Sequence, residues 1–306
     1  METRLNNFLP DASAPETQLV ASVLPRDAEY KMIHITDIRE MIKPRAAFSH
    51  KGSYGHALII AGAPNTMGAA LLASKGCLYA GAGLITAAIP ESGLTALNSA
   101  IPEVMYATRE DLLKAYGLEK YDAIAIGPGI SVGLGNTMNT LSLMQKLIEQ
   151  KFPIVADADA LKLIADAKLQ KTLSKGTILT PHVKEFDRLF GKHETWWDRL
   201  QTARDFAKKR GVVIVLKNQN TFIIDQAGTV HINPTGNPAM AQGGMGDVLT
   251  GVITAYVAHG YTPVEAAILG CYVHGKAGDE LSENRVSVTA SQVAKQLPKT
   301  VKRLGS

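Results

Sequence analysis

A glycine-rich stretch ending in an acid, GGMGD at residues 243–247, stands directly before an apolar run typical of a helix, VLTGVITAYVA. Successive glycines can turn their backbone N–H groups inward around an anion. The first N–H groups and the dipole of the following helix favour negative charge at the same place. The stretch therefore predicts an anion hole, formed by Gly243, Gly244, Met245 and Gly246.

Asp247 lies beside this predicted anion hole. Aspartate commonly caps a helix, but a cap does not require three glycines within four residues. An acid next to a bound phosphate is suited to act as general base for a hydroxyl in phosphoryl transfer, where the protein mainly positions groups and neutralises charge. We predict that Asp247 is the catalytic residue.

Other glycine-rich stretches do not fit the common nucleotide motifs. Gly62 to Gly68 is the nearest match to a P-loop but lacks its lysine and hydroxyl residue. The stretches GAGL and GPGISVG lack the spacing of a dinucleotide fingerprint. The eight histidines have no zinc-ligand spacing, so a zinc site is not expected.

Two further polar segments follow apolar runs. DADAL, at 157–161, has two carboxylates at the end of a predicted strand, of which one is expected to meet a ligand or cap a helix and the other to anchor a loop. His182 and Glu185 are three residues apart and come together if a helical turn begins there. This spacing favours a Mg²⁺ contact through water for Glu185, while a structural role for His182 stays open.

Six short apolar runs alternate with helix-like segments and predict buried parallel strands: HALIIAG, LITAAIP, AIAIGPG, PIVADADA, GTILTPH and GVVIVLKN. Right-handed crossovers then cover both faces of the sheet with helices. The run TFIIDQAGTVHINP predicts a hairpin. We expect one α/β domain over residues 46–306, preceded by an N-terminal extension over 1–45, with ligands at the carboxyl ends of the strands.

Composition excludes several classes of protein. The 306 residues are 46% hydrophobic and 20% charged, with a net charge of +4 and scattered basic residues, so we expect no nucleic-acid partner. No apolar stretch reaches about 18 residues and the N-terminus lacks a signal-peptide core, so we expect no membrane association. Cys77 and Cys271 lie in apolar helical patterns, which favours buried thiols and a cytoplasmic location.

Eight segments in collinear order over about residues 50–300 resemble the ADP/ATP-dependent NAD(P)H-hydrate dehydratases of the ribokinase-like superfamily. They are KGSYGHALIIAGAPNTMGAALLA, GAGLITAAIP, AIAIGPG, DADAL, ILTPHVKEF, VIVLKNQNTFI, NPTGNPAMAQGGMGDVLTG and YVHGKAGD. The resemblance implies a three-layer ribokinase-like fold. It also implies repair of hydrated NADH and NADPH by loss of water coupled to nucleotide hydrolysis, through hydroxyl phosphorylation and elimination, with Mg²⁺ and with ADP or ATP as co-substrate.

The resemblance also implies roles for particular residues. The hydrated dinucleotide is expected near Ala69, Gly129 and His182, and Asp247 is expected to take the proton of its ring hydroxyl. The adenine nucleotide is expected to contact Lys217, Asn218, Gln219, Asn220, Thr221 and Gly246.

The chain departs from the family pattern in three places. Met245 replaces a threonine, which keeps the backbone donors but removes a hydroxyl contact. Val183 and Lys184 replace Pro-Gly, which changes the loop before Glu185. Asn218 replaces a glycine, which affects the conformation of the nucleotide loop.

The resemblance further implies a homo-oligomer, a tetramer. The segment before the first strand is too short for the epimerase domain that some members carry, so we expect that activity on a separate chain. Two alternative functions remain. One is a ribokinase-like kinase that phosphorylates a small alcohol and leaves a stable phosphate ester. The other is a non-catalytic nucleotide-binding protein, for which Asp247 would be dispensable.

Overall fold

The computed structural model describes residues 30–114, 118–131 and 137–305. Within these residues ten strands form one sheet in the order β1-β10-β9-β8-β7-β6-β5-β2-β3-β4. The strands are β1 Tyr30–Met32, β2 His56–Ile60, β3 Leu84–Ala88, β4 Met105–Ala107, β5 Ala123–Ile126, β6 Ile154–Ala156, β7 Ile178–Leu179, β8 Val213–Leu216, β9 Phe222–Ile224 and β10 Val230–Ile232. All neighbouring strands are parallel except at β9, which is antiparallel to both β8 and β10.

Helices connect most of these strands. They are α1 Ile35–Met41, α2 Met67–Tyr79, α3 Leu94–Ala100, α4 Arg109–Lys114, α5 Thr137–Glu149, α6 Asp159–Asp166, α7 Val183–Phe190, α8 Trp196–Arg210, α9 Met245–Ala258, α10 Pro263–Ser282 and α11 Ala290–Leu304. Local sequence sets several of their ends. Thr262 and Glu265 form a capping box ahead of α10, with Pro263 in its first turn, and Gly211 ends α8 in the left-handed conformation.

The predicted parallel strands are present as β2, β3, β5, β6, β7 and β8, and the predicted hairpin is β9 with β10. The sequence analysis did not predict β1 and β4. Each has only three residues and lies at one end of the sheet, so neither shows the apolar run of a buried strand. β1 comes from the segment 1–45 that we predicted to be an extension, and it pairs with β10. Residues 1–29 of that segment lie outside the described residues, and the boundary at 45 stays a prediction.

Alternate residues of the central strands face two different hydrophobic clusters. In β2, Ile59 lies in the cluster that packs against α2, α9, α10 and α11, whereas Leu58 and Ile60 lie in the cluster that packs against α5 to α8. The predicted α/β class, a mostly parallel sheet with helices on both faces, is confirmed. Cys77 and Cys271 are buried and free, as predicted. No helix of the described part of the chain is long and apolar enough to cross a membrane.

Glycines allow α2 and α9 to pack closely. A Cβ atom on Gly76 of α2 would overlap the backbone carbonyl of Val248, and one on Gly251 of α9 would overlap the carbonyl of Ala73. The two helix backbones therefore approach more closely than any side chain at these positions permits. This contact fixes the height of α9 above the sheet, and with it the place of the GGMGD stretch at its start.

The close contact predicts a difference between two glycine substitutions. Gly251→Ala should destabilise the protein by about 1 to 3 kcal/mol, because the methyl group forces α2 and α9 apart. Gly68→Ala, also in a helix but with open space where its Cβ would lie, should be neutral or stabilising by up to about 1 kcal/mol. Urea unfolding of both variants measures the difference. Equal free energies of unfolding would contradict this account of the α2–α9 contact.

Candidate functional site

Asp247 lies in the first turn of α9, whose N-cap is Gly244. Gly244 has φ +89°, a conformation that glycine adopts without strain. Asp247 is therefore not the N-cap, and the interpretation of this residue as an ordinary helix cap is excluded. The N–H groups of the first turn have no partner within the helix, so they are placed to bind an anion beside the Asp247 carboxylate.

A buried ion pair lies next to this turn. Lys217 follows β8 and its Nζ donates to Oδ1 of Asp157, which follows β6, at 2.7 Å. The hydroxyl of Thr250 in α9 donates to the other carboxylate oxygen of Asp157 at 2.9 Å. The Asp157 side chain is 2% exposed. The network thus joins two strand ends to α9 and keeps the ammonium group of Lys217 close to Gly246, whose Cβ would lie 3.4 Å from it.

The charges of this cluster shift the pKa values of its members. Burial and the nearby carboxylate of Asp157 raise the pKa of Asp247 to about 6, against the opposing effect of Lys217. Burial alone would lower the pKa of Lys217, but Asp157, Glu185 and Asp247 together hold it above its usual value. At neutral pH the site therefore holds one fixed cation and a carboxylate whose pKa suits a general base.

His182 and Glu185 form a capping box at the start of α7. The His182 Nδ1 accepts from the N–H groups of Lys184 and Glu185 at 3.1 and 3.4 Å, and the Glu185 carboxylate accepts from the His182 N–H at 2.8 Å. The predicted proximity of the two side chains is present, with His182 Nε2 and Glu185 Oε1 3.5 Å apart. His182 also pairs with Lys217 in a parallel bridge. Their predicted ligand contacts stay predictions beside this structural role.

Ala69 and Gly129 are close together at another strand end. Gly129 follows β5 with φ +62°, and a Cβ on it would contact Ala69 and Thr66. The Thr66 hydroxyl donates to the Gly129 carbonyl at 2.6 Å. Asp159 accepts from the N–H of Ser131 at 2.9 Å, so the second acid of DADAL anchors this loop while Asp157 contacts Lys217. Residues 132–136, which follow, lie outside the described residues.

A cavity of about 450 Å³ opens beside Lys217 and Gly246, within the usual size range of small-molecule sites. Among the described residues it is lined by Lys217, Asn218, Gln219, Thr221, Asn233, Thr235, Gly236, Asn237, Pro238, Met240, Ala241, Met245, Gly246, Leu249, Cys271, His274 and Gly275. The set contains five of the six predicted nucleotide contacts, Asn220 being the exception. The lining combines polar side chains, such as Asn218 and Asn237, with apolar ones, such as Met240 and Leu249.

Two acids and a histidine of this site were not among our predicted site residues. The Asp279 carboxylate accepts from the N–H of Gly236 and from Asn237 Nδ2 at 3.2 and 2.8 Å, and so holds the wall of the cavity against α10. His274 lines the same cavity from α10. The signal was the run YVHGKAGD, with polar residues on a largely apolar helix. Asp157 was considered with DADAL, but its contact with Lys217 joins residues 60 positions apart.

The described residues contain no cluster of three or more His, Cys, Asp or Glu side chains that could hold a metal ion. A magnesium ion in proteins keeps several waters and is held by one or two carboxylates together with substrate phosphates. The Glu185 carboxylate is close enough to Lys217 to raise the pKa of that lysine, so it lies near the expected phosphates. The residues present therefore fit a nucleotide-bound magnesium ion and no dedicated protein cage.

Known proteins resemble this chain over most of its length. A family model described as NAD(P)H-hydrate dehydratase matches residues 57–299. The ADP-dependent (S)-NAD(P)H-hydrate dehydratase of Staphylococcus aureus is 35% identical over 87% of this chain and 95% of its own length. The chain spans about half the length of other curated relatives, which are bifunctional NAD(P)H-hydrate repair enzymes.

Solved structures show the same fold. A ribokinase-like superfamily protein of Enterococcus faecalis superposes with a TM-score of 0.81 at 28% identity, covering 90% of this chain and 96% of that one. The ADP/ATP-dependent NAD(P)H-hydrate dehydratase of Bacillus subtilis, co-crystallised with ATP and Mg²⁺, has a TM-score of 0.79 at 32% identity, covering 90% and 98%. The predicted ribokinase-like fold is confirmed.

The raised pKa of Asp247 predicts a pH-dependent cost in stability. Its pKa in the folded protein, about 6, lies above the ordinary value of 3.8, so the folded state binds more protons between these pH values. The cost is absent below the ordinary pKa and complete above about pH 6. Asp247→Asn should therefore raise the unfolding temperature at about pH 8 more than at about pH 4.

Thermal unfolding at both pH values measures this difference, with Asp205→Asn, an exposed acid of α8, as control. The control should show the same small change at both pH values. A stabilisation by Asp247→Asn that is independent of pH would contradict the raised pKa.

Proposed function

The chain belongs to the NAD(P)H-hydrate dehydratase family, and on that premise we propose that it dehydrates (S)-NAD(P)H hydrate to NAD(P)H in a reaction driven by ADP or ATP. The Staphylococcus aureus relative, matched over 95% of its length, carries this activity with ADP in its name. The observation that carries the proposal is the Asp247 carboxylate, with a pKa of about 6, in the first turn of α9 beside Lys217.

The proposed reaction begins with proton transfer to Asp247. The carboxylate takes the proton of the ring hydroxyl while that oxygen attacks the terminal phosphorus of the nucleotide. The bond from phosphorus to the bridging oxygen breaks, and the nucleotide leaves with one phosphate fewer. Phosphate then departs from the substrate carbon with the C–O bond electrons, and the neighbouring carbon loses a proton, which restores the double bond of NAD(P)H.

The charged groups of the site support the phosphoryl transfer. The first-turn N–H groups of α9 and the Lys217 ammonium group face the place where charge develops on the transferred group. Asp157 keeps Lys217 in position through the 2.7 Å contact. A magnesium ion held on the nucleotide, with Glu185 contacting it through water, would neutralise further phosphate charge.

We place the two substrates at different parts of the crevice formed by the carboxyl ends of the strands. The adenine nucleotide binds in the cavity that Lys217, Asn218 and Gly246 help to line. The hydrated dinucleotide binds on the side of Ala69, Gly129 and His182, so that its ring hydroxyl reaches Asp247. A homo-tetrameric assembly and a cytoplasmic location are further parts of the proposal and rest on the family resemblance.

We expect the protein, mixed with hydrated NADH, Mg²⁺ and ADP or ATP, to return NADH and phosphate in equal amounts. Asp247→Asn should lower turnover by at least about 100-fold, because the general base is lost, while nucleotide binding is retained. Asp205→Asn serves as the exposed control. Absorbance of the reduced nicotinamide and a phosphate assay follow the two products. A stable phosphate ester, or no NADH with either nucleotide, would reject the dehydratase.

The contact between Asp157 and Lys217 predicts a shifted pH profile. Asp157→Asn removes the carboxylate that raises the pKa of Asp247. It also leaves the positive charge of Lys217, now without its ion-pair partner, to stabilise the ionised form of Asp247. Both changes lower the pKa of Asp247, so the acid limb of kcat/KM should move below about pH 6. The maximal rate should also fall, since Lys217 loses its partner. An unchanged acid limb in a folded variant would show that Asp157 does not set this pKa.

A further inference from the structure

Arg109, the first residue of α4, is a buried cation that the proposed mechanism does not use. The residue is 4% exposed, and among the described residues its guanidinium group forms no ion pair with an acid. The carboxylate of the neighbouring Glu110 accepts a hydrogen bond from Asn139 instead. Burying a charge without a paired acid is costly, so the hydrogen bonds that Arg109 does make must offset that cost.

Arg109 donates to two backbone carbonyls at the end of β2. Its Nη2 donates to the carbonyl of Ala61 at 3.0 Å and also to that of Gly62. Both residues are buried, and no backbone N–H group of the described residues donates to either carbonyl. Buried carbonyl groups need a partner. Here the partner is a charged donor, which forms the stronger kind of hydrogen bond.

These hydrogen bonds reach across the sheet. Arg109 follows β4, and β3 lies between β4 and β2. The N–H group of Gly62 donates in turn to the carbonyl of Pro128, after β5, at 2.8 Å. Gly62 is thus held at its carbonyl by Arg109 and at its N–H by the loop after β5. The loop from Gly62 to α2 therefore starts from a fixed point.

That loop determines the spacing of two residues expected at the hydrated dinucleotide. It ends at Thr66, the N-cap of α2, whose hydroxyl donates to the carbonyl of Gly129 at 2.6 Å. A Cβ atom on Gly129 would lie 2.8 Å from the Cβ of Ala69, in the first turn of α2. A shift of the loop would move Ala69 relative to Gly129, and displacements of about 1 Å are enough to impair a site.

We propose that Arg109 is a positioning residue of the dinucleotide site, which holds the loop between β2 and α2 so that Ala69 and Gly129 lie at the separation that the hydrated dinucleotide requires. This inference rests on the dinucleotide site of the proposed function. Arg109 does not line the nucleotide cavity, and β5, β6 and β7 separate β2 from β8, which Lys217 follows. The effect of Arg109 is therefore confined to one of the two substrates.

Calorimetric titration with hydrated NADH, in the presence of a non-hydrolysable ATP analogue so that no turnover occurs, and separately with ADP tests the inference. Arg109→Met keeps a long side chain without a donor, so it should bind hydrated NADH on the order of tenfold more weakly and ADP as the wild type does. Arg109→Lys keeps the charge and a donor on a shorter side chain. Its affinity for hydrated NADH should lie between those of the wild type and Arg109→Met.

Arg204→Met is the matched control. Arg204 is also buried, at 6% exposure, and donates to a backbone carbonyl, that of Gly228 in the turn between β9 and β10. This variant should lose stability, measured as the unfolding temperature, and keep the affinities for both ligands. Equal weakening of hydrated NADH and ADP binding in Arg109→Met, or unchanged binding of hydrated NADH by the folded variant, would overturn the inference. If Arg109→Met does not fold, Arg109→Lys decides, and an affinity for hydrated NADH equal to that of the wild type overturns it.

The outcome is distinguishable from failure of the proposed function. Recovery of NADH by the wild type, with hydrated NADH bound equally well by Arg109→Met, would reject the role of Arg109 and leave the dehydratase intact. Selective weakening of hydrated NADH binding in Arg109→Met, without recovery of NADH by the wild type, would reject the dehydratase and leave this inference intact. Absence of hydrated NADH binding by the wild type would reject both.

Discussion

The contact between Lys217 and Asp157 is the interaction on which the site depends. It bridges the ends of β8 and β6 at 2.7 Å, and Thr250 ties the same carboxylate to α9. Removing one partner of a buried ion pair is strongly destabilising, because the other charge is left uncompensated. Substitution of either residue should therefore destabilise the protein. The pair also holds one cation, the Lys217 ammonium group, at a fixed point in the crevice. The predicted anion hole lies beside that cation.

The N-terminus of α9 reaches this point because of backbone packing far from the chemistry. Gly76 and Gly251 let α9 approach α2 so closely that the carbonyl of Ala73 lies where a side chain would be. The turn of the helix that carries Asp247 is thereby held over the strand ends where Lys217 and Asp157 emerge. In a parallel α/β sheet these ends meet at one edge, so a single helix position serves both the anion hole and the acid.

The sequence predicted the features that depend on local pattern. Uninterrupted apolar runs identify the buried strands, and three glycines before a helix predict an anion hole, so Asp247 could be proposed as a catalytic residue without a structure. It could not be excluded as a helix cap until Gly244 was found in that role. The contacts of Asp157 with Lys217 and Thr250, and those of Arg109 with the loop after β2, join residues far apart in the chain. No local pattern contains that information.

Asp247 is subject to two opposing requirements that the surrounding charges balance. A general base works best with a pKa near the working pH, which here requires burial and the nearby Asp157 carboxylate. At a pKa of about 6 roughly nine-tenths of the side chain is ionised at pH 7. An arriving phosphate adds negative charge and would raise the pKa further, which would protonate the base at the moment it is needed. Lys217 and the first-turn N–H groups of α9 offset that charge. In the proposed reaction the cation that binds the phosphate thus also keeps Asp247 ionised, which gives a reason for the lysine and both acids to occupy one cluster.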